Sequence, residues 1–282
     1  MNSGPSNGGV SCLQFLLRCI TDRGEYGFPA GATGGRPATV MREALLAAYR
    51  RHGYEIRCGE MVTRHLRDGT LNREAVLSEC ASAWKDGRRL DTGWGMSWQE
   101  LAVLEFLAGI WRPRRIFGIG NGFGWSALAM DLLWPSVYLR MMDNQSEGAD
   151  AKTACDLTST ILDEHNSGIV LIGSGIVLIG TSPADVPDCM AGDGFAPVGL
   201  VLIDAQHTDE SQLADYRAVK PFLALEHVIL FHDVLFCHME ASFATIATDY
   251  PGQSRILRRT TTGMGIVWTA DAGRRCAEVF GG

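Results

Sequence analysis

The sequence predicts a doubly wound α/β fold: a mostly parallel seven-stranded sheet with helices on both faces, preceded by an N-terminal helical extension. Three observations predict it. The segment Arg115-Ile-Phe-Gly-Ile-Gly-Asn-Gly-Phe-Gly-Trp-Ser126 runs from an apolar strand through closely spaced glycines into a helical pattern. Later apolar runs are continuous rather than alternating, as strands covered on both faces require. Each run ends in polar groups, and open α/β sheets bind ligands at that end of their strands.

Along the chain, residues 1–11 are expected to be disordered, and Gly24 to Pro37, with five glycines and two prolines, to form a loop. Residues 1–37 therefore count as a loop-rich segment holding one short helix at most. Thr39 to Arg51 has Val40, Ala44, Leu45, Ala48 and Tyr49 at helical spacing. Asn72 to Trp84 repeats the pattern, with Asn72 as an N-cap, so residues 38–93 are expected to be a helical extension serving as a lid or dimer surface. A ligand-binding domain follows over residues 94–282. Ser97 caps a helix to Trp111, and Arg112-Pro113 stops it before the first sheet strand.

The strand ending in Gly120 feeds a helix from Ser126 to Leu133. The second run, Val137 to Met142, ends in Asp143. A tandem repeat follows, Ser167-Gly-Ile-Val-Leu-Ile-Gly173 and Ser174-Gly-Ile-Val-Leu-Ile-Gly180. Its second copy leads into Thr181-Ser-Pro and is assigned to the third strand; the first copy is an insertion with an aggregation liability if unpaired. Val198 to Ile203 ends in Asp204-Ala-Gln-His207, and His227 to Phe231 ends in His232-Asp233. Met239 to Asp249 is expected to be a helix, and Arg255 to Arg259 with Gly265 to Thr269 a closing antiparallel pair joined through Thr260 to Met264.

The glycines at 120, 122 and 124 let a ligand lie against the backbone, and the helix start behind them offers free N–H groups. Gly120, Asn121, Gly122, Gly124 and Ser126 are thus candidate cofactor contacts. Asp143 stands where a doubly wound fold places an acid on ribose hydroxyls. The spacing Gly-x-Gly-x-Gly differs from the Gly-x-Gly-x-x-Gly of dinucleotide sites and disfavours a nicotinamide-dependent oxidoreductase.

Gly120-x-Gly122-x-Gly124, Leu202-Ile-Asp204-Ala-Gln-His207-Thr-Asp-Glu210 and Phe231-His-Asp-Val234 together resemble the class I, Rossmann-like S-adenosylmethionine-dependent methyltransferases. The likeness is to small bacterial members with an Ile-Asp-x-x-His and Phe-His-Asp-Val pattern and, more distantly, to catechol and caffeoyl-coenzyme A O-methyltransferases. It spans roughly Gly95 to Trp268. The resemblance implies S-adenosyl-L-methionine as cofactor, with Asp204 among its contacts, and Asp204, His232 and Asp233 as metal ligands. It implies His207 as the base and a small hydroxylated molecule, a sugar or secondary metabolite, as acceptor. It also implies that Gly95-Met96-Ser97 lies over the cofactor. The family carries an acid where this chain has Gly118, and Gln206 replaces a frequent acid. Magnesium prefers oxygen donors, so the histidine at 232 favours manganese, zinc or no metal over a purely magnesium site. A catalytically inactive binding or scaffold protein is the alternative, motivated by Gly118 and the repeat.

Composition supports a soluble enzyme. The net charge is −7 and basic runs are short, which argues against nucleic acid as a partner. Eight scattered cysteines with no Cys-x-x-Cys pair fit a reduced, cytoplasmic chain, and no apolar run approaches the ~20 residues of a membrane span. Cys237 and His238 lack a second thiolate for zinc. A homodimer is allowed by the N-terminal extension.

Overall fold

A computed structural model describes residues 36–63, 66–67, 70–71, 76–90, 95–166, 175–191, 194–258 and 260–269. Helix α1 (Arg36–Arg51) opens the described chain. A three-stranded antiparallel sheet follows, in order β1 (Glu55–Thr63), β4 (Val76–Lys85) and β5 (Arg88–Arg89), with the small pair β2 (Leu66–Arg67) and β3 (Thr70–Leu71) between its long strands. The remaining elements alternate: α2 (Trp98–Ile110), β6 (Arg115–Ile119), α3 (Trp125–Leu133), β7 (Tyr138–Asp143), α4 (Ala151–Asn166), β8 (Gly175–Ile179), α5 (Val186–Ala191), β9 (Val198–Ile203) and α6 (Asp209–Val219). A 3₁₀ turn at Lys220–Phe222 leads to β10 (Leu223–Phe231), α7 (Glu240–Ala247), β11 (Ser254–Leu257) and β12 (Met264–Trp268).

The main sheet has seven strands in the order β11-β12-β10-β9-β6-β7-β8. β8, β7, β6, β9 and β10 run parallel, while β12 joins β10, and β11 joins β12, antiparallel. Chain order reverses between β6 and β9, which is where a ligand crevice forms in such a sheet. Burial explains why β9 is apolar throughout: all six of its residues are buried. Alternate side chains feed two cores. Ile116, Leu200, Leu202 and Leu230 pack toward Leu45, Leu101, Leu128 and Ile161 from α1 to α4. Phe117, Val201, Ile203 and Phe231 pack toward Met190, Tyr216 and Phe243 from α5 to α7.

The N-terminal part departs from expectation. Residues 76–84 form a strand, not the C-terminal half of a helix, and 38–93 is a mixed α/β extension. The apolar spacing at Leu77, Ala81 and Trp84 is helical, and in the strand Trp84 falls on the face opposite Leu77 and Ala81. Pairing decides it, since β4 lies antiparallel to β1 from Glu55 opposite Trp84 to Thr63 opposite Val76. Arg36 and Pro37, expected in a loop, already belong to α1, and proline suits a helix's first turn because its missing N–H has no helical acceptor there. The other expectations for residues 1–35, and the first copy of the repeat at 167–173, lie outside the described residues. The second copy is β8, at the edge of the sheet, as expected. β10 begins four residues before the apolar run does, at Leu223. Among the described residues no helix is long and apolar enough to cross a membrane.

Candidate active site

The strand ends are brought together by ladder bonds that continue past the strands. Gly120 N–H donates to the Met142 carbonyl at 2.8 Å, Asp204 N–H to the Ile119 carbonyl at 2.9 Å, and His232 N–H to the Ile203 carbonyl at 3.0 Å. Gly120, at φ +90°, lies so close to β9 that a Cβ there would fall 1.7 Å from the Asp204 carbonyl oxygen. Gly122, at φ +49°, faces open space with no atom within 4 Å of an added Cβ. One glycine therefore permits the close approach and the other leaves room for a ligand.

Asp143 holds this loop. Its Oδ2 accepts the Asn121 N–H at 2.8 Å and its Oδ1 the Gln145 N–H at 2.6 Å. The Asn121 amide donates to the Gly122 carbonyl and the Thr158 hydroxyl, which leaves its buried Oδ1 without a partner. Gly118 now has a packing reason: a Cβ there would sit 2.3–2.4 Å from Cε and Sδ of Met141. The loop is fixed from β7 by Asp143.

The loop borders a cleft of two connecting parts, with volumes of about 240 and 520 Å³. Gly120, Gly122, Asp143, Glu147, Asp204 and His207 line both parts. Tyr49 from α1, Ile56 from β1, Ala81 and Ala83 from β4, and Gly95 and Met96 wall the smaller part. The Tyr49 hydroxyl donates to the Phe123 carbonyl at 2.5 Å, tying α1 to the loop. Trp125 lies under this wall, 4.9 Å edge-on from Trp98 and 5.9 Å from Tyr49. Thr181, Ser182 and Asp215 close the far side of the larger part. Among the described lining residues there is no Lys or Arg, so the cleft suits a cationic ligand. Ser126 lines the smaller part, whereas Gly124 is the left-handed N-cap of α3, packed on Thr158 and absent from the walls.

Asp204, His207, His232 and Asp233 form one cluster, each offering a ligand atom within 4.8 Å of the others. His232 Nδ1 is 3.0 Å from Asp204 Oδ1 and 3.3 Å from Asp233 Oδ2. Neither approach has hydrogen-bond geometry, so this buried nitrogen faces both carboxylates electrostatically and makes no hydrogen bond. His207 Nε2 lies 3.1 Å from Asp233 Oδ2 and 3.4 Å from Asp204 Oδ1. Asp233 adopts φ +57°, a left-handed conformation that Asp tolerates better than most residues and that recurs at functional sites. An orphaned imidazole nitrogen facing two carboxylates, with a second imidazole beside them, fits a divalent cation that takes mixed nitrogen and oxygen donors, and so fits manganese better than magnesium.

Electrostatics bind the cluster together. Burial works against charge on Asp204, but the His232 and His207 imidazoles outweigh it and hold the carboxyl well below its usual range. Burial opposes protonation of His232, yet Asp204, Asp233 and Glu100 push its pKa well above the ordinary histidine value. In His207 burial is likewise overcome, by Asp204 and Asp233, and its pKa rises. Burial raises Glu147, reinforced by Asp204 and Asp143. Cys237 is not part of this group: burial pushes its thiol up to about 11, so it stays protonated.

Sequence reasoning missed Glu100, Glu147 and Asp215. Glu100 is fully buried and contacts His232 at 3.2 Å. The only signal for it was its place three residues after Ser97, which marks a capping box, and the box is present. Glu147 and Asp215 carry no local pattern.

The family model described as a methyltransferase domain matches residues 137–234, from β7 to just beyond β10. Among solved structures, the chain is similar to the O-methyltransferase TomG of Streptomyces achromogenes in complex with S-adenosylmethionine, at 17% identity and TM-score 0.47, covering 64% of this chain and 83% of that one. It is also similar to the methyltransferase PaMTH1 of Podospora anserina bound to S-adenosylhomocysteine, at 15% identity and TM-score 0.47, covering 62% and 80%. A third is an O-methyltransferase from Bacillus cereus in complex with S-adenosylhomocysteine, at 12% identity and TM-score 0.42, covering 60% and 78%. No protein with a curated description matches the chain.

Proposed function

We propose that this chain is a class I S-adenosyl-L-methionine-dependent methyltransferase that methylates a hydroxyl oxygen of a small molecule with the help of a divalent cation, manganese or magnesium, held by Asp204, His232 and Asp233. One observation carries the reading. The glycine loop, Asp143, Asp204 and His207 meet in a single acid-lined cleft at the sheet's point of chain reversal, beside a buried imidazole nitrogen that faces two carboxylates without a hydrogen bond. S-adenosyl-L-methionine would supply an activated methyl group on a sulfonium, whose positive charge matches the lining.

The chain's own groups divide the work. Asp143 orders the loop through the Asn121 N–H and stands at the end of β7, where ribose hydroxyls are held in this fold. The open space at Gly122 and the unpartnered Asn121 Oδ1 receive the amino-acid end of the ligand. Asp204, His232 and Asp233 would hold the cation, which would supply Lewis acidity toward a substrate hydroxyl. His207 has a side chain 33% exposed, against 1% for His232 and 8% for Asp233, so it is the cluster member a substrate reaches first. It takes the hydroxyl proton as the oxygen is aligned with the methyl group. The scaffold alternative rested partly on Gly118, and the Met141 packing removes that motive.

The test is release of S-adenosylhomocysteine against a panel of hydroxylated small molecules, in chelator-treated protein with and without added manganese. Turnover should require the cation and should fall about 10²- to 10⁴-fold in His207→Ala. Full turnover with chelator present and with Asp233→Asn would remove the metal from the mechanism.

A further inference from the structure

Glu100, on the first turn of α2, is fully buried, and four donors besides a histidine converge on its carboxylate. Oε1 accepts the Thr262 N–H at 2.9 Å and the Thr262 hydroxyl at 2.6 Å. Oε2 accepts the Ser97 N–H at 2.9 Å and the Ser97 hydroxyl at 3.0 Å. The remaining approach to Oε2 is His232 Nε2, at 3.2 Å. A helix cap alone does not account for this arrangement. A capping box needs only the Ser97 bonds, and a buried carboxylate is costly unless it is paired and hydrogen-bonded on every side.

We propose that Glu100 is a positioning residue for the metal site: by accepting the His232 Nε2–H it commits that ring to presenting Nδ1 as the ligand. The inference rests on the metal reading above. A neutral imidazole has one protonated nitrogen and one with a free lone pair, and the partner of the first decides which is which. With Asp204 and Asp233 beside Nδ1 and nothing opposite, the proton would favour Nδ1 and ligation through it would be lost. A carboxylate on Nε2 reverses that preference. Glu100 itself does not ligate, since both its oxygens are occupied by the Thr262 and Ser97 donors. The same bonds clamp the ring's orientation to two distant segments, the start of α2 and the turn between β11 and β12.

Cobalt(II) binding to chelator-treated full-length protein tests this. Visible absorption gives the affinity, and proton NMR reports a strongly shifted, exchangeable ring N–H, assigned by its loss in His232→Gln. Labelling with ¹⁵N-histidine identifies which ring nitrogen is protonated. The wild type should bind cobalt with a slowly exchanging His232 Nε2–H, and Glu100→Gln should bind about 10- to 100-fold more weakly. Ser97→Ala removes the cap hydroxyl but keeps the carboxylate on the imidazole, so it should melt at lower temperature and bind cobalt as the wild type does. Equal weakening by Ser97→Ala, or native affinity in a folded Glu100→Gln, would overturn the proposal. So would a ligated ring protonated at Nδ1, even if Glu100→Gln does not fold. If the wild type binds no cobalt, the metal reading itself falls and this inference falls with it.

Discussion

At the level of single residues, Asp215 accepts a hydrogen bond from the neutral Ser182 hydroxyl, and burial pushes its pKa up to about 6. Because this folded-state value lies above the unfolded one, the group stabilises the fold fully below about pH 4 and loses that contribution as pH rises through about 6. Asp215→Asn mimics the protonated form and keeps the acceptor for Ser182. It should melt like the wild type at pH 4 and be more stable at pH 8, by on the order of 1–2 kcal/mol once solvent screening at the cleft wall is allowed for. Equal melting temperatures at pH 8 would refute this. The glycines separate fold from ligand in the same way. Gly120→Ala drives a Cβ into the Asp204 carbonyl and should impair folding, whereas Gly122→Ala meets no atom and should lose about 1–2 kcal/mol for its left-handed backbone while blocking the cofactor. Thermal melts paired with ligand titration distinguish the two. Asp143, Asp204 and His232-Asp233 were legible in the sequence because each directly ends an apolar run. Glu100 was not legible as a site residue, because its partners His232 and Thr262 lie 132 and 162 residues away.

Secondary-structure elements were legible to the extent that burial alone defines them. The strands at 115–119, 138–143, 198–203 and the second half of β10 are largely buried, and their sequences are mostly apolar for that reason, whereas the edge strand at 175–179 is apolar although Ile176 and Ile179 are exposed. β4 is read as helical from its i, i+4, i+7 apolar spacing, and the antiparallel pairing with β1 overrides that local pattern. The exposed Glu226 splits the apolar sequence of β10, so the run expected from His227 leaves out Leu223 to Leu225, which already belong to the strand. The packing of β6 on β7 makes a further prediction. Gly118→Ala should cost about 1–3 kcal/mol by overpacking against the buried Met141 side chain. Combined with Met141→Ala the two losses should fall short of additive, because the added methyl fills part of the space vacated. Denaturant unfolding of the two single variants and the double checks it; strict additivity would mean that the two side chains do not compete.

For the whole molecule, the order β11-β12-β10-β9-β6-β7-β8 places β6 and β9 near the centre, so that the acid-bearing ends of β10, β9 and β7 flank the glycine loop that follows β6. The N-terminal sheet and α1 contribute Tyr49, Ile56, Ala81 and Ala83 to the same cleft. The extension expected to be a lid or dimer surface therefore borders the ligand space directly, a role no local pattern in residues 38–93 could reveal. With a net charge of −7, and with no Lys or Arg and one histidine, His207, set against Asp143, Glu147, Asp204 and Asp215 among the described lining residues, the cleft attracts a positively charged ligand. Calorimetric titration of S-adenosyl-L-methionine into chelator-treated protein, with Asp143→Ala alongside, tests it most directly. The account predicts saturable binding by the wild type that the substitution abolishes; no heat from the wild type, with or without added manganese, would contradict it.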